Sequence, residues 1–488
     1  MPGVSLFREH NVASRDQVID LCAAVHNLVG GPPALVAIDQ EGGQLQTLSG
    51  IVTDFPGNMA LAATGDPELA GQVGYAMGLE LRALGVTVNY APVCDLLTNP
   101  TNHGLSIRSF GDVPQVAAVA AVGVIEGLQR AGVAATAKHF PGKGGAKVDT
   151  HFAQAVIDRS RADFDAYELV PFRAAIAAGV QLMMTSHAIV PALSPEDLRP
   201  ATLNRAVLTT LLRDELGFGG VTITDALDMA AVGAGDQASA HEALDAIRAG
   251  ADLLLTTPFM DPDELTDGLR RAQSEAPLPH EVVSESRARV AQLRRWLAAF
   301  PVPDIGVVGC ADHAELSDRV ARRSVTEVAR QLDRRPADPD CVVVQPAAIN
   351  LTPADTSVDN TASVAARLRD LGLRPRELCV PHSPSGNDIA AAVEAAGGAE
   401  TIIVVTAAAT ESSQVDLAER VGRAAARTTV IVARNPLDLS YLEGLDPARL
   451  LCSYGLTSSS VAALASVLTG THEPEGQLPV DLPAQPRL

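Results

Sequence analysis

Lys138-His139-Phe140-Pro141-Gly142-Lys143-Gly144-Gly145, followed by Asp149-Thr150-His151, gathers an ammonium, an imidazole, a Gly-rich loop and an Asp/His pair within fourteen residues. The apolar run Val133-Ala134-Ala135-Thr136-Ala137 before it reads as a buried strand. Lys138 and His139 are then expected at the strand's C-terminal end, where parallel barrels build their active sites. Asp149 stands two residues from His151, close enough to orient or charge the imidazole. A histidine held by an aspartate is a proton donor and acceptor tuned near neutral pH. A second run, Val221-Thr222-Ile223-Thr224-Asp225, puts a carboxylate at the end of another strand. One carboxylate to attack an anomeric carbon and one separate group to protonate the leaving oxygen are what retaining glycoside hydrolysis requires.

Spacing leaves alternatives open at each position. Asp225 would serve equally as an N-cap for a helix starting near Ala226, and His151 as a solvated loop histidine. His187, at the end of Gln181–Ser186, is read with even weight as a pocket residue or a buried, satisfied histidine. Lys138 could pair with Asp95 in the barrel mouth. Lys143 is read first as a solvated loop lysine. Asn99-Pro100-Thr101-Asn102 is a turn-rich, architectural loop.

The chain resembles family-three glycoside hydrolases, and within them the β-N-acetylhexosaminidase (β-N-acetylglucosaminidase) branch. The resemblance is carried by Asp39-Gln40-Glu41-Gly42-Gly43, Asn89-Tyr90-Ala91-Pro92-Val93-Cys94-Asp95, Arg108-Ser109-Phe110-Gly111, Lys138 to Gly142, Asp149-Thr150-His151, Thr185-Ser186-His187 and Ile223-Thr224-Asp225-Ala226-Leu227-Asp228-Met229. These occur in family order across the first 230 residues. Weaker similarity continues through Arg434-Asn435-Pro436, Tyr454-Gly455 and Gly476-Gln477-Leu478-Pro479-Val480. The resemblance implies Asp225 as nucleophile and His151, partnered by Asp149, as general acid/base. It also implies Lys138, His139, Arg108 and Asp39 as groups that grip the sugar, with His187 lining the pocket.

Two departures stand out: Gln44 where the family usually has Arg, and Lys143 where it often has His. Loss of the Arg removes a fixed cation from the expected rim and weakens the case for cell-wall muropeptide fragments as substrate. The implied activity is release of terminal β-linked N-acetylglucosamine, with peptidoglycan turnover as its setting. The rivals are a phosphorylase of the same branch, a non-catalytic sugar-binding protein, and a β-glucosidase taking its acid from the second domain.

Around these residues, short apolar runs alternate with amphipathic helical patterns, the mark of βα units on a parallel sheet. Strands are expected at Val4–Phe7, Ala34–Asp39, Val86–Val93, Val133–His139, Gln181–Ser186, Val221–Asp225 and Ala251–Thr256. Helices are expected at Asp16–Leu28, Pro67–Leu84, Pro114–Ala131, Phe164–Ala178, Arg205–Leu216 and Ala238–Arg248. The fold class is therefore α/β, a TIM-type (β/α) barrel. Its seven strands suggest that a first βα unit is lacking, or that the start codon is misassigned. A long helix over Val283–Phe300 closes the barrel domain (1–300), and Pro301–Gly306 opens a linker (301–311). A C-terminal α/β sandwich (312–488) then has strands near Cys341–Gln345, Glu377–Val380, Thr401–Thr406, Thr429–Ala433 and Arg449–Ser453. It could stabilise the barrel, shape the rim or mediate dimerisation; oligomeric state is not legible.

The chain has 37 Lys and Arg against 58 Asp and Glu, a formal charge of −21 over 488 residues. That acidity argues against nucleic acid and anionic membrane as partners. The six cysteines are scattered, without zinc or disulfide spacing. With no HExxH and no Walker A, neither metal nor nucleotide cofactor is implied. The N-terminus lacks a charged segment followed by a long apolar one, so a cytoplasmic location is expected.

Overall fold

A computed structural model describes residues 2–150, 152–232, 240–258, 261–328 and 335–482. In the first part of the chain the strands are β1 (Gly3–Leu6), β2 (Leu35–Ile38), the short pair β3 (Gln40–Gly42) and β4 (Leu45–Gln46), β5 (Val88–Asn89), β6 (Ala134–Phe140), β7 (Leu182–Thr185) and β8 (Val221–Ile223). Apart from the β3–β4 hairpin they form one parallel sheet, ordered β1-β2-β5-β6-β7-β8. Leu253 extends it by a single parallel bridge to Ile223, all that remains of the strand expected over Ala251–Thr256. The strand expected over Val86–Val93 is shorter because Pro92 has no N–H to give the ladder; pairing resumes at Val93 with Lys138. Among the described residues no strand joins Leu253 back to β1, and the sheet is a curled, open barrel.

The period of two along each strand sorts the core. Val36, Ile38, Ala135, Ala137 and Met183 face outward and pack with the surrounding helices, among them Arg15–Val29, Pro67–Ala83 and Pro114–Arg130. Leu35, Ala37, Val88, Tyr90, Ala134, Leu182, Met184, Val221 and Ile223 face inward. The helix His280–Leu297, expected at the close of the barrel, adds Leu293 and Leu297 to that inner cluster. The helix expected over Phe164–Ala178 opens with a wider, π-type turn at Phe164–Glu168 before the regular helix Leu169–Ala177.

After a helix at Ala311–Ser324 come β9 (Thr326–Glu327), β10 (Val342–Pro346), β11 (Arg376–Val380), β12 (Glu400–Val405), β13 (Arg427–Val432) and β14 (Arg449–Cys452). The second sheet runs β11-β10-β12-β13-β14-β9, parallel except for β9 at its edge. Alternate residues serve two helical layers. Val343, Ile402, Val404 and Ile431 pack on one side with Val364, Val461 and Leu464. Val344, Ile403, Val405 and Val430 pack on the other with Ile389, Leu417 and Val421. The latter cluster continues into the barrel through Met59, Val93, Leu97, Leu105 and Ile107. Among the described residues no helix is long and apolar enough to cross a membrane.

Candidate active site

Asp225 stands two residues beyond the end of β8 and is nearly buried, with 9% of its surface exposed. The backbone after it turns rather than starting a helix, so the capping role is not met. Instead its Oδ1 accepts the Ala226 N–H at 2.9 Å. Its Oδ2 lies 3.6 Å from Lys143 Nζ and 3.9 Å from His139 Nε2. Lys143 is therefore no solvated loop residue: it is 5% exposed and its charge is turned onto Asp225.

The opposite wall is a chain of buried charges. Lys138 shares the inward parity of Ala134 and Thr136 along β6, so its ammonium enters the barrel mouth. There it pairs with Asp39 Oδ1 and Glu41 Oε1, each at 2.6 Å, and not with Asp95. Glu41 in turn accepts two bonds of 2.9 Å from the Arg108 guanidinium. Burial alone would raise the Glu41 pKa, but Arg108 and Lys138 outweigh it and hold the carboxyl down to about 2. Burial likewise opposes the charge on Lys138, yet Asp39 and Glu41 overcome it and move that pKa upward. Glu41 is a site residue that the sequence does not single out. Its signal was the Asp39-x-Glu41 spacing, which puts both carboxylates on one side of an extended segment.

Asp95 lies behind β6 and organises the loop that follows. Its carboxylate accepts His139 Nδ1 at 2.7 Å, His139 N at 3.2 Å and Lys143 N at 2.8 Å. Burial pushes it up to about 6, against the pull of Lys143 and of the two backbone N–H groups. The loop then runs flat over its neighbours: a Cβ on Gly144 would stand 1.5 Å from the Leu96 carbonyl oxygen, so only glycine fits. Asp149 packs against Gly104, where a Cβ would fall 2.6 Å from Asp149 Oδ2. His151, its expected partner, lies outside the described residues; Phe152, just beyond it, lines the cleft.

His187 is fully buried and is not among the residues lining the cleft. Its Nδ1 meets Thr202 Oγ1 at 2.8 Å, and its Nε2 donates to the Ala226 carbonyl at 2.9 Å. It thereby fixes the backbone beside Asp225. Gln44 does not sit on the rim either. It is 2% exposed and its side-chain amide donates to the Ala354 carbonyl at 3.4 Å, while its backbone carbonyl accepts Thr356 N at 2.9 Å.

Part of this set opens onto a cleft of about 680 Å3. Asp39, Arg108, Lys138, His139 and Asp225 line its floor, and Asn350–Thr356 of the second sheet's first loop line the facing wall. Arg8 closes one end, held by Asp359 at 2.8 Å and by the carbonyls of Thr47 and Ser49. Arg8 and the 350–359 loop escape a reading along the chain because the ion pair that joins them spans 351 positions. Chemically, the site offers a carboxylate flanked by a lysine and a histidine at one side and a fixed set of hydrogen-bond donors and acceptors at the other.

Residues 3–293 match the glycosyl hydrolase family 3 N terminal domain. Beta-hexosaminidase A of Pseudoalteromonas piscicida is 33% identical over 356 residues, 67% of this chain; the match spans 59% of that protein's length. Beta-hexosaminidase of Stenotrophomonas maltophilia is 40% identical over 262 residues, 52% of this chain and 75% of that protein. A solved glycoside hydrolase family 3 beta-N-acetylglucosaminidase from Paenibacillus sp. str. FPU-7 superposes with a TM-score of 0.90 at 33% identity, covering 99% of this chain and 93% of the other. With its open parallel barrel, its second α/β domain and its buried acid at the end of β8, this chain belongs to glycosyl hydrolase family 3.

Proposed function

We propose that the chain is a retaining glycosidase that releases terminal β-linked N-acetylglucosamine. The observation that carries the reading is the setting of Asp225: a carboxylate on the cleft floor, one oxygen tied to Ala226 N–H, the other faced by Lys143 and His139. Two nearby cationic or donor groups favour the ionised, nucleophilic form.

In this reading Asp225 Oδ2 attacks the anomeric carbon while the bond to the leaving oxygen breaks. His151, oriented by Asp149, gives that oxygen its proton. Water then attacks the glycosyl–enzyme, His151 takes the water's proton, and the carbon–Oδ2 bond is released. Asp39 accepts from sugar hydroxyls, and Lys138, Arg108 and His139 donate to them. The ion pairs among Lys138, Asp39, Glu41 and Arg108 hold these groups in place before substrate arrives, which is how such contacts act without reorganisation. His187 supports the Ala226 backbone rather than touching the sugar. Relatives named beta-hexosaminidase and beta-N-acetylglucosaminidase support the choice of sugar. Cell-wall muropeptide fragments are the candidate natural source, to be compared with neutral chito-oligosaccharides as substrates.

The test is hydrolysis of an aryl β-N-acetylglucosaminide by wild type and Asp225→Ala. The variant is expected to lose about four orders of magnitude in kcat. Retention of activity would move the nucleophile elsewhere, and no turnover by folded wild type would leave only a sugar-binding role. One observation favours a second reading. Lys143 places a buried cation beside the nucleophile, where an anionic acceptor such as inorganic phosphate would approach. Formation of a sugar 1-phosphate in place of free sugar when phosphate is added would select the phosphorylase.

A further inference from the structure

The second domain touches the catalytic loop through one relay. Asn435 leaves the end of β13, a strand paired on both sides, and is 6% exposed. Its Nδ2 donates to the Pro100 carbonyl at 2.9 Å, and its Oδ1 accepts Leu437 N at 3.0 Å. Pro100 belongs to the Asn99–Gly104 loop, whose side chains hold the backbone that follows Lys138-His139. Asn102 Nδ2 donates to the carbonyls of Lys143 at 3.2 Å and Gly144 at 3.3 Å. Asn99 Nδ2 donates to the Ala146 carbonyl at 2.7 Å. Gly104 completes the bracket by lying against the Asp149 carboxylate, with no room for a side chain between them. The loop that looked merely architectural thus binds the second domain on one side and the Lys143–Asp149 segment on the other.

We infer that Asn435 and Asn102 are positioning residues: the second domain presents the acid/base loop to the leaving group through Asn435, Pro100 and Asn102. The inference rests on the reading of Asp149 and His151 as the proton-transfer pair. Proton transfer needs heavy atoms within hydrogen-bond reach, and small displacements of the loop weaken it steeply. Asp225 is anchored beyond β8 and meets this loop only through Lys143 Nζ at 3.6 Å, a contact longer than a hydrogen bond, so its attack depends on the relay far less than proton transfer does.

That separation supplies a readout that a merely structural role would not move. A phenyl leaving group needs protonation; a dinitrophenyl leaving group departs without it. Asn435→Asp and Asn102→Asp both keep the side-chain oxygen that accepts Leu437 N or Leu105 N and remove the N–H donor. Each is expected to lower kcat/KM for phenyl β-N-acetylglucosaminide by about 10–100-fold, with less than about threefold change for the dinitrophenyl substrate. Equal losses on both substrates, or no loss on either, would overturn the inference. Should one variant fail to fold, the other carries the same test, since they sit on opposite ends of the relay. Asp149→Ala and His151→Ala serve as controls: if they show no dependence on leaving group, the assignment of the acid/base pair fails, and that outcome is distinct from failure of the relay.

Discussion

Glu168 is a carboxyl group kept where its charge is penalised. It sits at the π-type turn before Leu169–Ala177, 1% exposed, against Gly142 at the start of the loop that runs to Asp149. Arg159 approaches no closer than 3.4 Å. Burial pushes its pKa up to about 7; Arg159 opposes that, and the negative charge of Asp95 adds to it. The folded-state value thus lies above the ordinary glutamate value. Stability from this group is fully present below the unfolded pKa and is lost as pH rises through the folded one. A shift of this size corresponds to about 3 kcal/mol. Replacing it by an amide removes the titration. Glu168→Gln is expected to gain that much relative to wild type between about pH 4.5 and pH 8, read as the difference in unfolding free energy at the two pH values. A difference that does not change with pH would show that Glu168 is not held neutral. Such a site is not legible from the chain, where Tyr167-Glu168-Leu169 reads as an ordinary helical acid. Glu41 escaped in the same way: its charge partners, Lys138 and Arg108, lie far along the chain.

At the scale of the element, the loop from Gly142 to Asp149 is defined by where it has no room. Gly144 lies so close to the Leu96 carbonyl that any side chain would displace backbone, not a flexible neighbour. Gly144→Ala is expected to destabilise the protein by about 1–3 kcal/mol. It should also lower kcat/KM on phenyl β-N-acetylglucosaminide by at least about tenfold, because the shift passes to Lys143, whose N–H is bound to Asp95. Unchanged kinetics and stability would mean that the loop can lift without consequence. The glycines were visible in sequence as a bend, and the strands before the loop were visible as β-branched and alanine-rich runs. The interior strands came out within a few residues because apolar runs with period two are a strong signal. The Ala251–Thr256 run fell short, since apolar composition does not ensure a neighbour to pair with. The side chains that press the loop down, Asn99 and Asn102, look like turn residues in sequence and acquire their second role only from the tertiary fold.

At the scale of the whole molecule, the barrel and the sandwich share one of their buried clusters. Val93, Leu97, Leu105 and Ile107 from the first part of the chain pack in one buried cluster with Leu437, Leu439, Tyr454 and Val480 from the second. The helix Ala311–Ser324 lends Leu316 and Val320 to the barrel's cluster and Ala321 to the sandwich's. Gln44, Asn360 and Asn435 add polar bonds across the same boundary. Two halves joined this way should unfold together, because separating them exposes apolar surface on both. Stabilising the barrel was one of the roles open to the second domain from sequence, but the contacts that do it were not legible, because the polar ones join residues more than 300 positions apart. The molecule carries its own reporters. Trp296, the single tryptophan, lies in the helix that fills the inner face of the barrel. Cys379, an exposed thiol on β11, reports the sandwich when labelled with a fluorescent dye. Urea unfolding followed by the two probes is expected to give coincident midpoints. Ile107→Ala, which opens a void in the shared cluster, is expected to cost about 2–5 kcal/mol and to move both midpoints by the same amount. Two resolved transitions, or a shift in only one, would show that each half folds on its own and that the boundary transmits no stability.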